Sequence, residues 1–165
     1  MADVKKSKLF QLQKGISQDA LVVLVKTEWN HEIVNELEKG CLAVLHEKLI
    51  KTKTLVVPGA VEIPFAVQHY WNNAKKKNKP QAFITLGCVI RGDTPHFEYV
   101  CQAVTQGVSQ LNVTLPVPTI FGVLTVDSDE QARERIGGRH GHKGEEAAVT
   151  AIKMMLLSEQ LKEGI

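Results

Sequence analysis

Hydrophobic and polar positions along the chain follow two periods. Short β-branched runs read as strands: LVVLV at 21–25, TLVV at 54–57, AFITLGCVI at 82–90 and PTIFGVLTV at 118–126. Between them apolar residues recur at three- and four-residue steps. Ile33, Leu37, Cys41, Val44, Leu45 and Leu49 mark a helix over 30–50, with Asn30 placed to cap it. TLVV ends at Pro58-Gly59. A second helix begins near Pro64, a residue suited to a first helical position, and runs to about 77. Gly92-Asp93-Thr94-Pro95 is a turn, followed by a helix over about 96–110. Ser128 and Gln131 make a capping box for a short helix over 129–136, which Gly137-Gly138 ends. A last helix covers about 144–162.

Strands alternating with helices imply right-handed βαβ crossovers and an α/β fold with a four-stranded parallel sheet covered on both faces. The nearly continuous apolar strands fit that burial. No linker or repeat interrupts the chain, so residues 1–165 read as one domain, with 1–20 as an arm in front of the first strand. In such sheets ligands gather at the carboxyl ends of the strands. Those ends are Trp29-Asn30, Pro58 to Glu62, Gly87 to His96 and Thr125 to Ser128, where polar residues and glycines concentrate.

Composition narrows the class. Of 165 residues 44% are hydrophobic and 23% charged, which excludes a disordered or collagen-like chain. Twenty Lys and Arg against 18 Asp and Glu leave a net charge of +2, too small to argue for a nucleic-acid partner. Cysteines stand at 41, 88 and 101 with no CxxC spacing, which predicts reduced thiols and a cytoplasmic protein. No stretch reaches the roughly 18 consecutive apolar residues of a membrane span, and the first twenty residues lack a signal-peptide core.

Common motifs are absent: GxGxxG after the first strand, GxxxxGK[ST] and GxSxG. His140, His142, Glu145 and Glu146 follow no established metal spacing, and an exposed glycine-rich junction explains them better. The third loop carries the most chemistry. A helix start presents free N–H groups and a partial positive charge, a natural phosphate site. Thr94 adds a hydroxyl there. His96 sits in the first turn, where the same dipole disfavours a charged imidazole, and a neutral ring is what a general base requires. The alternative is that His96 only packs or caps.

GCVIRGDTPHFEYV (87–100) closely resembles a signature of the lumazine synthase family. VPGAVEIP (57–64) resembles a second signature, and Trp29-Asn30 fits an aromatic-Asn pair after the first strand. IFGVLT (120–125), EQARERIG (130–137) and GHKGEEAA (141–148) continue the series in order from about residue 21 onward. The resemblance implies a flavodoxin-like three-layer α/β/α sandwich. It also implies condensation of 5-amino-6-ribitylamino-uracil with 3,4-dihydroxy-2-butanone 4-phosphate to 6,7-dimethyl-8-ribityllumazine, the penultimate step of riboflavin biosynthesis, with no cofactor. Riboflavin synthase is the implied protein partner.

Carried over by position, the resemblance makes His96 the proton-transfer residue and sets Trp29 on the pyrimidine ring. Asn30 would support the first loop, and Ala60, Val61 and Glu62 would line the ribityl side, with Glu62 accepting hydroxyl hydrogen bonds. Cys88, Val89 and Ile90 would offer backbone groups to the uracil edge, and Asp93 and Thr94 would hold the butanone phosphate. Phe121, Arg135 and Lys143 would reach the site from a neighbouring subunit. Taken without the resemblance, Trp29 and Phe121 read as packing residues, Glu62 as a helix cap and Lys143 as solvated. Arg135 reads as a dipole partner at a helix end, with Arg133 and Arg139 beside it at the surface.

Two positions depart from the family pattern. Asp93 sets a carboxylate beside the expected phosphate, an unfavourable neighbour at short range, unless its side chain turns away to cap the helix. Trp29 replaces the commoner Phe, and its larger ring predicts firmer binding of riboflavin or product. Shared sites require an oligomer. The family forms pentamers, and the short junction GGRHGHKG (137–144) resembles that of members that build a sixty-subunit shell. Residues 8–16, containing LFQLQ, are expected to add a strand to a neighbour's sheet. A non-catalytic lumazine- or flavin-binding protein of the same fold is the alternative function. A flavodoxin-like electron carrier would need a Ser/Thr-rich loop after the first strand, which is missing.

Overall fold

Two strands with almost no solvent contact, β1 (Leu21–Thr27) and β3 (Ala82–Ile90), form the centre of a four-stranded parallel sheet ordered β2-β1-β3-β4. The edges are β2 (Lys51–Val57) and β4 (Thr119–Val126). The structure, a computed structural model, describes residues 19–164. The strand expected within 8–16, and all of the expected arm before residue 19, lie outside the described residues.

Side-chain alternation sorts the central strands into two cores. Val22 and Leu24 of β1, with Ile84 and Leu86 of β3, pack on Ile33, Leu37, Cys41 and Leu45 of α1 (His31–Glu47) and on Ala148, Ile152 and Met155 of α5 (Lys143–Glu163). On the opposite face Val23, Val25 and Phe83 meet Ile63 and Val67 of α2 (Ile63–Asn73) and Val104, Val108 and Leu111 of α3 (His96–Thr114). The result is the flavodoxin-like three-layer α/β/α sandwich. Each fully buried aliphatic side chain contributes about 1.5–3 kcal/mol relative to exposure.

Several boundaries differ from the pattern reading. β2 starts at Lys51 rather than 54, because KTKT alternates exposed lysines with half-buried threonines, as suits a sheet edge. Ala60–Glu62 is a short 3₁₀ turn before α2, which ends at Asn73 rather than near 77, and α3 continues four residues past 110. Asn30 occupies the N-cap position of α1 in the left-handed region (φ 56°), yet its side chain does not cap the helix. Ser128 does cap α4 (Asp129–Arg133), accepting from the Gln131 N–H at 3.2 Å, while Gln131 Oε1 accepts from the Asp127 N–H at 3.0 Å. This helix stops at Arg133, not at 136. Ile136–Gly138 (β5) and Gly141–His142 (β6) form a small antiparallel hairpin where glycines were expected only to end a helix.

Candidate functional site

The strands end at different heights, and that mismatch opens a cleft. β1 pairs with β3 only as far as Lys26 opposite Leu86, whereas β3 continues beside β4 to Ile90 opposite Val126. Residues 87–90 therefore have no strand partner on the β1 side. A cleft of about 450 Å³ lies there, walled by Cys88, Val89 and Ile90, by Trp29 and Asn30 after β1, by Ala60, Val61 and Glu62 after β2, and by His96 at the start of α3. Thr27, Gly59 and Val100, which sequence reasoning did not single out, complete the wall.

Local folding places each group. The Trp29 N–H donates to the Pro58 carbonyl (3.3 Å) and the Thr27 hydroxyl to the Trp29 carbonyl (3.2 Å), so the backbone is tied down while the indole stands 73% exposed. A Cβ on Gly59 would lie 3.0 Å from Glu62 Oε2 and 4.0 Å from Trp29 Cδ1, so glycine lets the carboxylate and the indole close over one spot. Glu62 precedes α2 without capping it, which leaves its carboxylate to the cleft. Asn30 Nδ2 donates to the Cys88 carbonyl at 2.8 Å, bridging the exits of β1 and β3 and taking one acceptor of the strand edge.

Asp93 and Thr94 sit exposed on the turn before α3, beside His96 but off the cleft wall. The N-cap of α3 is Pro95, and no side chain caps this helix, so Asp93 does not serve as the expected cap. The Glu98 N–H donates to the Pro95 carbonyl at 3.1 Å, which leaves the N–H groups of His96 and Phe97 for an external acceptor.

Phe121, Arg135 and Lys143 lie elsewhere. They line a second cavity of about 610 Å³ along the outer edge of β4, with α5 as its floor. Phe121 is 41% exposed although it sits in an apolar strand, and Lys143 is only 9% exposed although a solvated lysine was the simpler reading. Lys143 Nζ pairs with Glu146 Oε1 at 2.6 Å. Glu146 lines the same cavity; from the sequence it is weighed only as a metal ligand and set aside, though its three-residue spacing from Lys143 on a helix is a usable signal for this pair. Among the described ion pairs, Arg133 engages Asp129 and Glu32, and Arg139 engages Glu134. Arg135 has instead the Gln131 carbonyl, at 2.7 Å from Nη1, so its charge is not spent on a carboxylate. His140 lies 3.5 Å from Glu134, and the His142 ring packs over Gly40. No group of three His, Cys, Asp or Glu gathers as for a metal among the described residues.

The chain thus presents an open cleft with an aromatic, a carboxylate and a histidine at a helix start, and separately an edge cavity with an aromatic, a guanidinium and a Lys143–Glu146 pair. A family model described as 6,7-dimethyl-8-ribityllumazine synthase matches residues 19–159. The chain is 46% identical over 140 residues to the 6,7-dimethyl-8-ribityllumazine synthase of Porphyromonas gingivalis, covering 83% of this chain and 84% of that one. It is 45% identical over 138 residues to the protein of that name from Parabacteroides distasonis, covering 82% and 84%. It is 42% identical over 143 residues to that from Phocaeicola vulgatus, covering 85% and 83%.

Proposed function

The chain belongs to the 6,7-dimethyl-8-ribityllumazine synthase family, and from that we propose that the cleft and the β4 edge cavity are two halves of one kind of active site, joined between neighbouring subunits. The reaction is a transferase condensation of riboflavin biosynthesis. It joins 5-amino-6-ribitylamino-uracil to 3,4-dihydroxy-2-butanone 4-phosphate with loss of phosphate and water.

In this reading the pyrimidine lies against Trp29 and meets the free β3 edge at Val89 and Ile90. The ribityl chain runs past Ala60 and Val61 to the Glu62 carboxylate. The butanone phosphate docks at the uncapped start of α3 with Thr94. His96, on the wall between the two reactants, moves protons as the imine forms, phosphate leaves and the ring closes. A neighbour's Phe121 covers the ring, and its Arg135 and Lys143 supply positive charge, Arg135 as a planar fork for phosphate. Holding both reactants in one pocket supplies much of the acceleration. The observation that supports this reading is the separation itself: among the described residues no Lys or Arg lines the cleft, whereas the half-buried Arg135, with no carboxylate partner, and the buried Lys143, paired with Glu146, line the cavity along the β4 edge. A flavin carrier, the alternative, has no use for an unspent guanidinium and an uncapped helix start.

The assembly that follows is a pentamer, extended to a sixty-subunit shell, for which the short 137–144 junction argues, with riboflavin synthase as its companion. We assign it to the cytoplasm on the strength of free thiols at Cys41, Cys88 and Cys101. The experiment is turnover by Arg135→Ala and by His96→Ala. We expect a modest loss for His96→Ala and a larger one for Arg135→Ala. Arg135→Ala reassembled with a Glu62→Ala/His96→Ala variant should recover about a quarter of full activity by random assortment. Full activity of Arg135→Ala alone, or no recovery on mixing, overturns the shared site.

A further inference from the structure

The turn that carries the phosphate donors is exposed from Gly92 to His96, and an added Cβ at Gly92 would meet nothing within 4 Å. Packing does not hold it, yet one side chain brackets it. Arg91 directly precedes the turn. Its backbone N–H donates to the Val126 carbonyl at 2.9 Å, extending the β3–β4 ladder. Its Nε donates to Asp127 Oδ1 at 2.7 Å, its Nη1 pairs with Glu98, and its guanidinium lies 4.2 Å from the centre of the Phe97 ring. Asp127 is itself anchored, its N–H donating to Gln131 Oε1 of α4. Phe97 and Glu98 are the two residues after His96.

We infer that Arg91 is a positioning residue for the condensation, holding His96 and the first N–H groups of α3 in register with the end of β4 without touching substrate. The inference rests on the placement of the butanone phosphate at this turn. An exposed ion pair by itself stabilises little. Here three contacts converge on one planar group, which meets two carboxylates and still stacks on a ring, an arrangement an ammonium cannot copy. The consequence lies in geometry more than in stability, since a misplacement of about 1 Å costs on the order of a hundredfold in rate. Arg91 was legible in GCVIRGDTPHFEYV only as part of a motif. That its side chain folds forward over Phe97 and sideways to Asp127 depends on β4 ending beside β3.

The test measures steady-state kinetics with both substrates, inhibition by inorganic phosphate, riboflavin binding by fluorescence and Tm. The variants are full-length Arg91→Met, Arg91→Lys and Thr94→Val. We expect Arg91→Met to raise the KM for butanone phosphate and the inhibition constant of inorganic phosphate about tenfold. Riboflavin affinity and Tm should hold, and Arg91→Lys should recover only part of the loss. An unchanged KM in Arg91→Met, or a rise matched by an equal loss of riboflavin binding, overturns the inference. Weakened phosphate inhibition in Thr94→Val but not in Arg91→Met overturns the inference alone. Unchanged phosphate inhibition in both overturns the phosphate placement, and the inference with it.

Discussion

Trp29 shows how a residue's chemistry and its location must be read together. A large aromatic after an apolar strand is ordinarily core, yet here its backbone is tied to Pro58 and Thr27 while the ring stands in solvent at the mouth of a cleft. We expect Trp29→Phe to weaken riboflavin binding several-fold in a fluorescence titration, since stacking area shrinks while the tethered backbone stays; unchanged affinity would remove the indole from the ring site. The cysteines give a second residue-scale prediction. Burial pushes the Cys41 and Cys88 thiols up to about 12. Folded thiols then keep protons that unfolded ones release near pH 9, so their contribution is intact below that pH and is lost as pH rises toward 12. A thiol reagent at pH 8 should titrate no more than one cysteine per chain, Cys101, before denaturant is added, and all three afterwards. Phe121 and Lys143 mark where side-chain type misleads. An edge strand exposes the first, and α5 burying its own first turn hides the second.

At the scale of elements, the helix ends decide more than the helix interiors. α1 closes with the Ile50 N–H donating to the Leu45 carbonyl and the Leu49 N–H to the His46 carbonyl, a Schellman turn with Leu49 at φ 58°. Glycine is the natural residue there, and the Leu49 side chain is 74% exposed. Leu49→Gly should relieve about 1–2 kcal/mol of strain against about 0.4–1 kcal/mol of added freedom in the unfolded chain, a small net gain in denaturant midpoint. The α1–α5 contact works the other way. A Cβ on Gly144 would lie 2.0 Å from the Leu37 carbonyl oxygen. Gly144→Ala must push two helices apart, and we expect a loss of about 2 kcal/mol or more in chemical denaturation. Periodicity found β3 to the residue, because a doubly covered strand is a continuous apolar run. It shortened β2 to 54–57, because an edge strand carries lysines on its open side.

For the whole molecule, the proposed function rests on two cavities that the fold keeps apart. Among the described residues no Lys or Arg lines the cleft, and Arg135 and Lys143 line the separate cavity along the β4 edge. Sedimentation of the full chain should show a sixty-subunit species; five-subunit particles alone would remove the shell. Patterning alone determined the alternation of strands and helices, the parallel sheet and the strand ends where polar groups collect, since each of those follows from burial within a few residues of chain. Motif order pointed to the family. Tertiary structure decided which of those groups share a wall. The excess length of β3 over β1, the bridge from Asn30 to Cys88, the pairing of Lys143 with Glu146 and the fold of Arg91 over Phe97 all join residues that meet only when strands and helices have packed. Separations through space, unlike periodicity, are not written in neighbouring residues.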